Sequence, residues 1–195
     1  MHAERLRHYI DGGRPPGARR VYPGCRDRTP PARSAAVVVP GRVYFATESP
    51  VWTGGRGFYD PAAGVVAWCV AHLVTARQFS DIAAQEMYRT PGAGAGAGLA
   101  GALATGRARL GPGRYETLLC LGTLAGVPVL TFTAPWRMAD VELRRPAAPY
   151  VAHLAAGLAA TGAWGRAEVA AYLAGCPGAR GHWTPEDVGA LMAAG

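Results

Sequence analysis

Residues 64–89 read GVVAWCVAHLVTARQFSDIAAQEMYR, and a change of period inside this stretch decides the fold class. Up to Val74 the apolar residues run almost without a break, as in a buried strand. From Phe79 the spacing turns helical. Phe79, Ile82, Ala83 and Met87 supply one apolar face, with Ser80 as candidate N-cap and Asp81 placed to suit the helix dipole.

Strand signals dominate on both sides of this helix. AAVVVPGRVYFATE (35–48) has two β-branched or aromatic runs around Pro-Gly, the form of a hairpin. RYETLLCLGTLAGVPVLTFTA (114–134) offers two more strands around a Gly-containing turn. Between helix and strands, TPGAGAGAGLAGALATG (90–106) reads as a loop that ends in a short helix over LAGALATG. Upstream, MHAERLRHYIDGG places Leu6, Tyr9 and Ile10 at helical spacing before a Gly-Gly stop. Residues 12–34 are too rich in Pro and Gly for a helix or a central strand.

The last third changes character. YVAHLAAGLAATG and RAEVAAYLAG are Ala-rich helices closed by Gly, and WTPEDVGALM starts a third, with Thr184 as N-cap and Asp187 three residues on. Strands broken by a helix, followed by helices, predict an α+β fold rather than regular βαβ alternation.

The 195 residues suit one domain with a real core, and half of them are hydrophobic. The net charge of +7 comes from Arg alone, because Lys is absent. The Arg residues are scattered, with no basic stripe interleaved with aromatics, so a nucleic-acid partner is not indicated. Cys25, Cys69, Cys120 and Cys176 stand far apart without a CxxC pair, and His2, His8, His72, His153 and His182 form no HExxH motif. No metal site and no cofactor is therefore expected. No secretory leader or bilayer-spanning run is visible, which reads as cytoplasmic with no membrane partner.

Two places can carry chemistry. TESPVWTGGRGFYDPAAG (47–64), read as a loop, sets Gly54 and Gly55 beside Trp52. Such a pair either brings backbone amides to a ligand under an aromatic wall or makes a tight turn. Glu86, in an otherwise apolar helix, is either a solvated surface charge or a partly buried carboxyl. In the second case its raised pKa would suit acid–base work.

The order of these pieces resembles the γ-glutamylcyclotransferase-like family. MHAERLRHYI is similar to that family's RL…Y helix after its YGSN loop. ESPVWTGGRGFYDPAAG resembles its S..W.GG segment, FSDIAAQEMY its L..E helix, and RRPAAPYVAHLAAGL its late P…Y….G helix. The resemblance implies a small mixed β-barrel with flanking helices over residues 1–160 and a helical extension packed on it at 161–195. It implies a metal-independent enzyme that cyclises a γ-glutamyl group to 5-oxoproline, with Glu86 as general acid–base. Trp52, Gly54, Gly55 and Tyr115 would line the substrate. It also implies that the first strand and its YGSN loop lie upstream of Met1, so that the present start is internal or the protein is a truncated relative. Met87 and the Gly-Ala insertion depart from the pattern, which expects Gly after the glutamate.

Two rivals stand beside this reading. One is a non-catalytic small-molecule-binding relative. The other is a deacylase, since similar chains sometimes bear a histone deacetylase label, although the paired-His and Asp-x-His ligands of zinc deacetylation are missing from the sequence. The particular γ-glutamyl compound and the oligomeric state are not readable.

Overall fold

The computed structural model describes residues 2–14, 20–49, 53–92 and 95–194. The chain is α+β, and it divides into two compact units. Unit 1 comprises Met1–His2, Ser34–Ala71 and Trp136–Gly195; unit 2 comprises Ala3–Arg33 and His72–Pro135. Among the described residues the strands form three small sheets, two of two strands and one of three. No helix among the described residues is long and apolar enough to cross a membrane.

Unit 2 is organised around helix α2 (Ala76–Glu86). The helix begins four residues before the expected Ser80 cap, because Thr75 and Gln78 form a capping box. The Gln78 amide donates to Thr75 Oγ1 at 3.1 Å, and the Thr75 amide donates to Gln78 Oε1 at 2.9 Å. Phe79 and Ala83 pack with Leu99 and Ala102 of α3 (Ala95–Thr105) and with Leu118 of β6 (Thr117–Leu124). Helix α3 therefore starts four residues ahead of the expected LAGALATG. Strand β6 is the middle of an antiparallel sheet with β5 (Arg107–Arg109) and β7 (Val127–Thr133), turning through Ala125-Gly126 as expected.

The other side of α2 is polar and buried. Gln78, Asp81 and Gln85 recur at i, i+3 and i+7, and each is at most 2 % exposed. They face the irregular arm that follows α1 (Ala3–Asp11). Gln78 Nε2 donates to the carbonyls of Asp27 and Thr29, at 3.2 and 2.7 Å. Asp81 accepts from the Arg26 amide and guanidinium and from the Gly92 amide, all at 2.9–3.2 Å. Gln85 Nε2 donates to the Tyr9 carbonyl at 3.0 Å and its Oε1 accepts from the Gly24 amide at 3.3 Å. An arm without regular structure has backbone groups to satisfy, and these side chains satisfy several of them.

In unit 1, β1 (Ser34–Pro40) and β2 (Arg42–Glu48) follow each other through Gly41, but the expected hairpin does not form. Strand β1 pairs with β4 (Val66–His72), and β2 pairs antiparallel with β3 (Gly55–Asp60), which occupies part of the predicted 47–64 loop. Gly41, at φ 119°, turns the chain from one ladder to the other, and a Cβ there would sit 2.6 Å from the Asp60 carbonyl. The run GVVAWCVAHLV is indeed a strand, yet only Ala67 of β4 is fully buried. Trp68 is stacked between Trp164 and Tyr172, with centroids 4.8 and 4.6 Å away, and its amide donates to Tyr172 Oη. Helices α4 (Ala148–Ala159), α5 (Arg166–Gly175) and α6 (Pro185–Ala193) share a core of Val151, Ala155, Leu158, Val169, Leu173 and Val188. Thr184 and Asp187 cap α6 as expected.

Burial alone would push the Asp81 carboxyl up. The Arg26 hydrogen bonds and charge, with the Gly92 amide, outweigh it and hold Asp81 below the usual carboxylate range. A lowered native pKa means stability that is complete above the ordinary value and lost as pH falls through the native one. Asp81→Asn is expected to cost about 2–3 kcal/mol in urea unfolding, since it removes a charged acceptor of several buried bonds. The acid-side loss of stability is expected to be shallower in the variant.

Candidate functional site

Glu86 is the last residue of α2, one position beyond the buried Gln85, and it is partly buried. Its Oε1 accepts a hydrogen bond from the Tyr9 hydroxyl. Tyr9, fully buried on α1, is fixed at its other end, where its carbonyl takes the Gln85 amide and the Cys25 thiol. Arg5, one helical turn earlier, donates at 3.3 Å to both the Tyr9 and Tyr22 hydroxyls, which lie 3.4 Å apart.

Burial pushes the Glu86 carboxyl up from its ordinary value, and the nearby Arg5 charge only partly opposes this. The site around it is cationic and aromatic. The Arg20 guanidinium lies between the rings of Tyr22 and Tyr88, 4.7 and 4.2 Å from their centroids, and donates to the Gln85 carbonyl. Tyr88 leaves the helix at φ 60°, a left-handed conformation that non-glycine residues seldom adopt. A carboxyl with a raised pKa can take a proton from an amine and return it near neutral pH.

Of the other residues singled out from sequence, Gly54, Gly55 and Tyr115 are described. Trp52 lies outside the described residues. Tyr115 belongs to unit 2, just ahead of β6, with its ring edge-on to Phe132 at 6.1 Å. Gly54 and Gly55 belong to unit 1. The Gly55 amide donates to the Arg145 carbonyl at 2.7 Å, and a Cβ on Gly55 would lie 2.1 Å from the Arg144 carbonyl. The pair thus admits a neighbouring stretch of the chain's own backbone at this point. Tyr9, Arg5 and Tyr22 were missed as site residues. Arg5 and Tyr9, at i and i+4 on the opening helix, were the available signal. Tyr22 sits in the Pro-rich arm, where no periodicity marks it. Among the described residues no three His, Cys, Asp or Glu side chains gather as metal ligands would.

Two outcomes follow. Gly55→Ala is expected to lower stability by about 2–3 kcal/mol, because β3 or the 144–147 segment must move to admit a methyl group. A carboxyl raised in the native state destabilises the fold once ionised, so the wild type loses stability between the ordinary and the raised value. Glu86→Gln removes that loss, and denaturant midpoints of the two proteins should diverge as pH rises through this window.

In an alignment of 189 positions that covers 89% of its length, the chain is 28% identical to Histone deacetylase 5 of Arabidopsis thaliana. The chain spans 29% of that protein. No family model and no solved structure matches the chain.

Proposed function

We propose that the chain is a γ-glutamylcyclotransferase-like enzyme, on a small mixed β-barrel with flanking helices, in which Glu86 is the general acid–base. One observation carries this reading: a carboxyl raised by burial stands at the end of α2, held by Tyr9 and faced by Arg5. The chemistry asks for little else. The substrate's α-amino group attacks its own γ-carbonyl, closing a five-membered ring. Glu86 takes the proton that the amine must lose and returns it to the leaving amine as 5-oxoproline forms. Holding the γ-glutamyl chain curled supplies proximity, worth several kcal/mol of the barrier by the general magnitude of such effects. The Gly55 amide is already committed to Arg145, so the reading rests on Glu86 and not on the Gly-Gly pair. The ionised form of Glu86 is the base, so the rate should rise with pH through its raised value.

The similarity to a protein named a histone deacetylase favours deacylation as the second reading. One experiment separates the two. Release of 5-oxoproline from a panel of γ-glutamyl compounds is followed by mass spectrometry, beside deacetylation of acetyl-lysine peptides with and without added zinc. Turnover on the first panel, lowered about 10²–10⁴-fold by Glu86→Gln, is the expected result. Deacetylation with silence on the γ-glutamyl panel would replace it with the second reading.

A further inference from the structure

We propose that Tyr9 is a positioning residue for Glu86: its hydroxyl, bonded to the carboxylate and backed by Arg5, fixes the carboxylate's orientation and favours its ionised form. That this matters for turnover rests on the acid–base reading of Glu86; the hydrogen bond and its effect on proton affinity do not. Three features carry the inference.

First, Tyr9 is immobilised along its whole length. It has no exposure, its carbonyl is held by Gln85 and Cys25, and its ring packs at 4.6 Å on Tyr22. A hydroxyl fixed in this way donates in a preset direction, and the end of a helix is where a carboxylate would otherwise swing. Second, Arg5 Nη2 reaches the Tyr9 and Tyr22 oxygens equally, at 3.3 Å. Arg5 can only donate, so the Tyr9 oxygen accepts from it while sending its own proton to Glu86. Donor chains of this kind polarise one another in the same sense. Third, the charges around Glu86 come from several elements. Arg5 lies on α1 with Tyr9, Arg20 and Tyr22 come from the arm, and Tyr88 follows α2. The Arg5 charge favours the carboxylate, and burial, the larger effect, opposes it. The Tyr9 hydroxyl, as a donor to the carboxylate, acts in the same direction as Arg5 and restrains how far burial takes the group.

The direct test is a carbon-detected NMR titration of the side-chain carboxyls in protein labelled at glutamate, with Glu86 assigned from Glu86→Gln. Tyr9→Phe keeps the ring and deletes the donor. It should raise the Glu86 midpoint by about one pH unit, as expected for loss of a charge-assisted hydrogen bond. Tyr22→Phe, which leaves the Tyr9 bond in place, should shift it less. An unchanged midpoint in folded Tyr9→Phe overturns the proposal. Should that variant not fold, wild-type protein labelled at tyrosine Cζ gives the answer. One tyrosine resonance must titrate with the Glu86 midpoint and cease to do so in Glu86→Gln, and if none does the proposal fails. In the cyclotransferase assay, the pH–rate limb of Tyr9→Phe should move by the same amount as the NMR midpoint. A shifted midpoint in a protein with no turnover would defeat the acid–base reading while leaving the role of Tyr9 standing.

Discussion

The structure of unit 2 depends on a polar stripe that its central helix keeps out of water. Gln78, Asp81 and Gln85 lie along one side of α2, and their bonds go to an arm with too many prolines and glycines to pair its own backbone. Burying a carboxylate and two amides is costly unless every partner is present. Here the cost is met because the arm's backbone groups need partners just as much. The opposite side of α2 does ordinary hydrophobic work with Phe79 and Ala83. The helix therefore joins an apolar core on one side to a chain with no regular structure on the other.

Glu86 inherits its setting from that arrangement. Gln85 grips the carbonyl of Tyr9, and the next residue in the helix meets the hydroxyl of the same tyrosine. Two consecutive side chains thus hold the two ends of one aromatic residue. The position of the carboxyl follows from packing that begins a full two turns earlier, at Gln78. Cys25 belongs to the same enclosure. Burial pushes its thiol up to about 12, with Asp81 and Asp27 adding to the effect, so it serves as a neutral donor to Tyr9.

How much of this the sequence displays depends on the kind of signal. Helices marked by caps and periodicity are legible, as at Thr184 and Asp187. The start of α2 was equally marked, by Thr75 and Gln78 as a Thr-x-x-Gln box, but Ser80 and Asp81 formed a competing signal one turn later. Asp81 turned out to be a buried clamp for Arg26. Strand pairing is less legible. Pro40-Gly41 resembles a hairpin turn, yet nothing local reveals that β1 pairs with β4 and β2 with β3, because partners are chosen over long separations. Gly54 and Gly55 show the same limit. A glycine that admits a ligand and one that admits the chain's own backbone look alike until the neighbour is known. Glu86 stood out in an apolar helix, whereas Tyr9 read as one more apolar position of the opening helix and nothing in the Pro-rich arm marked Tyr22.

The stack of Trp68 between Trp164 and Tyr172 has a consequence for watching the molecule unfold. All five tryptophans, at positions 52, 68, 136, 164 and 183, fall within the residues of unit 1, and unit 2 contains none. Indole emission and the near-ultraviolet dichroism of the stacked rings therefore report on unit 1 alone. The arm, α2 and the ground under Glu86 hold no indole, and their helix is followed by far-ultraviolet dichroism instead. A transition seen through tryptophan is a transition of unit 1, and the half of the chain that carries the carboxyl needs a probe of its own.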